Sequence, residues 1–242
     1  MPVMTSGATV YSASQIADGI ITGAKLVNGA VTIPKMATPI FRSDGVLLNT
    51  TLDSSHFAAL TTGTGTVVKN NVDHSVTLQT GATATSWAQL QPKFEYQLDQ
   101  FSKVIMEAKV KITWGSATGA NDIVYMLVAY NAGVTHNIAM WMLGSAPGVL
   151  NFGVNDGGAT NTSCSITETA WNTLRLELSS SSLNMYLNDV LSMTITANIP
   201  SAEILLMDGG AGARYDGFAV NNTTTAANLK LEVRDVRMAI QR

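Results

Sequence analysis

The side chains that could do chemistry are few, and their spacing decides what is feasible. Glycoside hydrolysis needs two carboxylates facing each other across a bond. Glu107, in "VIMEAKVKITW", and Glu177, in "LRLEL", have no acidic partner at short spacing. His56, His74 and His136 are far apart, with no Ser or Cys nucleophile motif beside them. Cys164, the single cysteine, sits in "NTSCSIT" with no basic neighbour to activate a thiolate. A small, buried or half-buried Cys is therefore expected, and no intrachain disulfide can form. The sequence predicts a non-enzyme.

Binding chemistry has more material. "NDGG" (Asn155 to Gly158) and Asp73 offer hard oxygen ligands for calcium, with Asp156 as the central candidate. The same four letters suit a hairpin turn, which is the stronger reading. No cofactor is expected. Trp87, Trp141, Trp171, Tyr186 and Tyr215 could stack on sugars. Trp114 and Trp141 fall in patterns that read as core. Tyr186 points opposite to Met185 and Leu187, which places it on an outer or inter-subunit face. "AGARYDGFAVNN" carries Arg214, Tyr215 and Asp216 in a Gly-rich loop suited to polar recognition. With Tyr186, these three are the candidate ligand-facing residues.

The elements that must position these groups are strands. In "VIMEAKVKITW", six apolar residues from Val104 to Trp114 alternate with Glu107, Lys109, Lys111 and Thr113, a period of two. "WNTLRLELSSSSLNMYLNDVLSMTITA" reads as a three-strand meander. Leu174, Leu176 and Leu178, then Leu183, Met185 and Leu187, then Leu191, Met193 and Ile195 face inward, with turns at the Ser run and at Asn188-Asp189. Further strands are predicted at 66–69, 75–79, 86–90, 123–130, 138–143, 149–154, 204–207 and 229–240, the last with a bulge at Arg234-Asp235. "IVYMLVAY" and "IAMWML" are apolar on both faces, as in central strands covered on both sides or facing a neighbouring subunit. About a dozen short strands and no amphipathic helix predict an all-β, two-sheet antiparallel sandwich over 41–242.

Composition sets the partners. The 242 residues include 14 basic and 17 acidic side chains, a net charge of −3, and charged residues make up only 13%. The surface is therefore largely hydroxyl and amide, and neither nucleic acid nor an anionic membrane is attracted. The first residues lack a basic segment followed by an apolar one, so no signal peptide is expected. No apolar run is long enough to span a bilayer. Sequons at Asn49, Asn161, Asn221 and Asn222 are what an Asn- and Thr-rich chain contains by chance.

The order of strands resembles the jelly roll of concanavalin A-like lectins and laminin G-like domains. "WNTLRLELSSSSLNMYLND", the long strand some sixty residues earlier, and the closing "LKLEVRDVRMAI" carry the likeness. It implies a fold and no activity. Glucanases on this jelly roll usually carry a Glu-x-Asp-x-x-Glu strand, and neither Glu107 nor Glu177 stands in one.

Residues 1–40 differ in texture. "ADGIITGAKL" (Ala17 to Leu26) and "VNGAVTIPKM" (Val27 to Met36) repeat a turn, a short extended piece and a capped helical turn. Each copy has too few apolar side chains to form a core alone, so the segment needs partners. Ile16, Ile20, Ile21, Leu26, Val27, Val31, Pro34 and Met36 are the candidate assembly residues. The motif resembles repeats near the attachment ends of bacteriophage tail-fibre and other virion proteins. That resemblance implies a virion structural protein, made in a host cytoplasm and assembled as a homotrimer with other virion proteins. It would serve as a short tail fibre, receptor-binding tip or capsid decoration that touches host-surface glycan. The alternatives are a carbohydrate-binding module of a microbial surface protein and, less favoured, a glycoside hydrolase.

Overall fold

The computed structural model describes residues 3–5, 8–10, 40–42, 57–92, 95–97, 102–115, 119–131, 137–155, 158–199, 204–206, 217–223 and 228–241. The chain divides into two compact units, Met1–Pro39 and Ile40–Arg242. In the first, β1 (Val3–Thr5) and β2 (Ala8–Val10) pair antiparallel. The candidate assembly residues Ile16 to Met36 lie outside the described residues.

The second unit is an antiparallel sandwich with no helix among its described residues. In chain order its strands are β3 (Ile40–Arg42), β4 (Phe57–Thr62), β5 (Thr66–Asn70), β6 (Ser75–Gln79), β7 (Trp87–Pro92), β8 (Glu95–Gln97), β9 (Lys103–Thr113) and β10 (Ile123–Asn131). There follow β11 (Asn137–Leu143), β12 (Val149–Asn155), β13 (Ala159–Ser165), β14 (Asn172–Ser179), β15 (Leu183–Leu187) and β16 (Val190–Ile195). The series closes with β17 (Ile204–Leu206), β18 (Gly217–Asn221) and β19 (Lys230–Gln241). One sheet runs β16-β15-β14-β9-β19-β6-β5, with β3 beside β19. The other runs β13-β12-β11-β10-β18-β7-β4, with β17 beside β10 and β8 beside β17. We call them the first and second sheets.

The core lies between the two inner faces. From the first sheet it takes Val104, Met106, Ala108, Val110 and Ile112, with Leu174, Leu176 and Leu178 in register. From the second it takes Val124, Met126, Met140, Met142, Leu150 and Phe152. Burial along β9 alternates residue by residue, as its sequence requires. Asn188 and Asp189 both adopt positive φ, 51° and 66°, the geometry of a tight two-residue hairpin turn. The expected bulge in the last strand is present: register with β9 shifts between Arg234 and Arg237, and Asp235 has φ 52°. Val233 and Val236 consequently both face inward, fully buried.

Two expected placements change. Leu191 is 52% exposed, because a register shift between Met185 and Tyr186 sets it opposite Tyr186 on the outer face. Trp141 is not core: Met140 and Met142 point inward, so the indole between them points outward.

Candidate functional site

Sorting the strands into sheets separates two chemistries. The first sheet's outer face is an ionic ladder. Lys103, Glu107, Lys109 and Lys111 from β9 meet Arg175 and Glu177 from β14 and Lys230, Glu232, Asp235 and Arg237 from β19. Lys111 and Lys230 clamp the buried Glu232 at 2.8 and 3.3 Å, and Lys109 reaches Asp235 at 3.0 Å. The register also joins two carboxylates that stand far apart in sequence. Arg175, directly opposite Glu107, lies 3.9 Å from it and 3.3 Å from Glu177. Arg237 holds Glu107 at 3.2 Å and Lys103 holds Glu177 at 3.1 Å.

The aromatics on this face are also engaged. Tyr186 lies under the Arg175 guanidinium, 4.2 Å from ring centroid to carbon, and is half-buried. Trp171 is flanked by Arg234 at 4.1 Å and Lys111 at 5.1 Å. Most charged and aromatic groups on this face thus already have partners within the molecule.

The second sheet differs. Strands β4, β7, β10, β11, β12, β13, β17 and β18 contain no Asp, Glu, Lys, Arg or His, and Glu95 on β8 is the sheet's one charged residue. Cross-strand register lines up an outer row, Gln89–Ala219–Tyr125–Trp141–Asn151–Ser163, across six strands. Gln89 and Ala219 are buried, whereas Tyr125, Trp141 and Asn151 are partly open and Ser163 is exposed. The accessible aromatic and polar part of the row thus lies around Trp141, while Leu60 on β4, opposite Gln89, is exposed at the row's other end.

The seat of that indole is Gly153. A Cβ added there would collide with Asn161 Oδ1 and would lie 3.0 Å from Trp141 Cη2 and 3.1 Å from Cζ3. The missing side chain lets the ring lean onto the backbone of β12, which buries Gly153. Asn151, opposite Trp141, donates through Nδ2 to the Trp141 carbonyl at 3.4 Å, and exposed Asn161 stands opposite Gly153. A supported aromatic ring edged by amides and hydroxyls, without charge, can stack on an apolar sugar face and hydrogen-bond its hydroxyls.

The sequence missed this constellation because "IAMWML" is apolar throughout and gives no phase. Gly153 was the available signal: a glycine inside a strand marks a close approach. Arg214, Tyr215 and Asp216 lie outside the described residues, as do Asp156, His56 and His136. Asn155 and Ala159, the last residue of β12 and the first of β13, are direct partners. Among the described residues, no group of three or more His, Cys, Asp or Glu could hold a metal ion. Cys164 is half-buried, and burial raises its thiol pKa.

No family model matches the sequence, and no curated protein matches it. Solved structures do. The laminarinase catalytic domain of Thermotoga maritima superposes with a TM-score of 0.59 at 9% identity, over 84% of this chain and 98% of its own. The β-glucanase of Bacillus licheniformis gives 0.57 at 11%, over 86% and 100%. The carbohydrate recognition domain of Emp47p gives 0.56 at 11%, over 84% and 98%. The protein therefore has the lectin- and glucanase-type jelly roll. Nothing in these likenesses points to a virion.

They also correct the prediction of a non-enzyme. That prediction rested on linear motifs, yet catalytic domains are prominent among the structures sharing this fold. Glu107 and Glu177 further show that linear separation hides proximity. Absence of a motif does not exclude catalysis, and identity near 10% shows the fold alone.

Proposed function

We propose that the Ile40–Arg242 unit is a carbohydrate-binding domain that holds an uncharged glycan on the outer face of the second sheet. The observation that carries this reading is the Trp141 indole seated on Gly153, in a sheet whose strands are almost free of charge. Trp141 supplies the stacking surface. Tyr125, Asn151, Asn161 and Ser163 surround it with polar groups. The described strands of this sheet offer no cation to pair with the carboxylates or sulfates of an acidic glycan. The likeness to the Emp47p carbohydrate recognition domain and to glucan-cleaving domains supports this class of ligand.

The test is calorimetric titration of a soluble 1,3-β-glucan and other neutral polysaccharides against a uronic-acid polymer of similar length. Binding is expected to be confined to neutral polymers and little affected by salt. Binding restricted to the acidic polymer, or to none of them, overturns the reading. Release of reducing ends in the same mixtures reports hydrolysis directly.

A further inference from the structure

A second indole shares the outer face of the second sheet with Trp141. Ala88 and Leu90 are core, so Trp87, at the start of β7, points outward, where it is partly open. Strand register sets it in a row of its own. Thr62, Trp87, Asn221, Ile123 and Leu143 follow one another across β4, β7, β18, β10 and β11. Thr62 is exposed, the other four are partly open, and none is charged.

This row runs beside the one that holds Trp141, two residues away on each shared strand. On the other side of the Trp141 row the surface closes. Gln91, Gly217, Ala139 and Gly153, each two residues from that row on its strand, are all buried. The open surface is therefore a strip across the strands. It follows the Trp87 row from β4 to β11 and the Trp141 row from β10 to β13. Trp87 and Trp141 stand on β7 and β11, with β18 and β10 between them. Three strand spacings set them roughly 14 Å apart. One sugar ring cannot touch both indoles, but a chain of several rings laid across the strands can.

We propose that this face holds a run of sugar rings in a linear neutral glycan, with one ring stacked on Trp141 and another on Trp87. The proposal rests on the carbohydrate reading and narrows its ligand to a chain long enough to span both indoles. Between them the chain passes Tyr125, Ile123 and Asn221, an apolar and amide surface without charge. Both stacking contacts belong to one ligand, so the second forms at the local concentration that the first sets. Affinity then rises with chain length until both indoles are reached and levels off beyond that.

The experiment is titration of the full chain with neutral oligosaccharides of graded length, disaccharide to octasaccharide, from 1,3-β-glucan, 1,4-β-glucan and 1,4-β-mannan. Affinities are compared for the wild type, Trp87→Ala and Trp87→Phe, with near-UV circular dichroism to check that each variant is folded. The wild type is expected to gain roughly tenfold or more in affinity between the disaccharide and the octasaccharide. Trp87→Ala should remove that gain and leave the disaccharide affinity little changed. Trp87→Phe, which keeps an aromatic ring, should retain part of it. Affinity independent of length overturns the proposal and leaves the carbohydrate reading standing. So does a length gain that both Trp87 variants leave intact. Binding of no neutral oligosaccharide at any length overturns both.

Discussion

At the scale of single residues, the account rests on which side chains are already spoken for. Arg175 is shared among Glu107, Glu177, Asp189 and the Tyr186 ring, so one face of that ring already has an intramolecular partner. Trp141 rests on a glycine instead. Gly153→Ala should displace the Asn161 amide and shift the indole by a few tenths of an ångström, at a cost of about 1 kcal/mol in unfolding free energy. Trp fluorescence and denaturant midpoints check this, and an unchanged spectrum and midpoint would refute the close seat. Asp73 offers a titration test. Burial raises its carboxyl pKa, but hydrogen bonds from Ser75 Oγ and N–H, helped by the charge of Arg234, outweigh that and leave it below the ordinary value. Its folded pKa thus lies below the unfolded one. The stabilisation is complete above the ordinary value and is lost as pH falls through the folded value. Asp73→Ala should therefore lower the unfolding free energy measured by urea at pH 7, by about 1–2 kcal/mol for two lost hydrogen bonds. That difference should shrink as the pH is lowered below about 4.

At the scale of elements, legibility in the sequence followed the phase of the apolar residues. The strands β9, β14 and β15 announce themselves because nearly every inward position is Val, Met, Leu, Ile or Ala, Asn172 apart, and nearly every outward one is polar or charged, Ile105 apart. The strand β13 is silent: its inward positions are Thr160, Thr162 and Cys164, which an edge strand tolerates because it buries little. Both β4 and β18 were missed for related reasons, one being mostly exposed and the other, "GFAVN", apolar on both faces. Turn chemistry carried further. Asn188 was read as a turn residue, and it both adopts positive φ and bonds outward, accepting from Thr173 N–H at 2.9 Å and donating to Asn172 Oδ1 at 3.1 Å. Asn188→Ala loses these bonds and strains the backbone, so thermal unfolding should report a cost of about 1–3 kcal/mol. A neutral outcome would mean that the hairpin is held by strand pairing alone.

At the scale of the whole molecule, the informative property is the division of charge between two outer faces, and no linear reading can see it. Strands of the two sheets interleave along the chain, so Lys, Glu, Trp and Asn appear mixed until the topology sorts them. The same sorting explains how so lightly charged a chain keeps one face ionic and leaves the other to amides, hydroxyls and aromatic rings. The repeats at 17–36 belong to the other unit, and their need for partners stays a property of the sequence. What the larger unit does turns on the uncharged face. The most direct measurement is the affinity of the full chain and of Trp141→Ala for a neutral polysaccharide that the wild type binds, with unfolding midpoints recorded alongside. The account predicts a loss of roughly thirtyfold, about 2 kcal/mol, with the midpoint little changed. Equal affinity of Trp141→Ala and the wild type for that polysaccharide would contradict it.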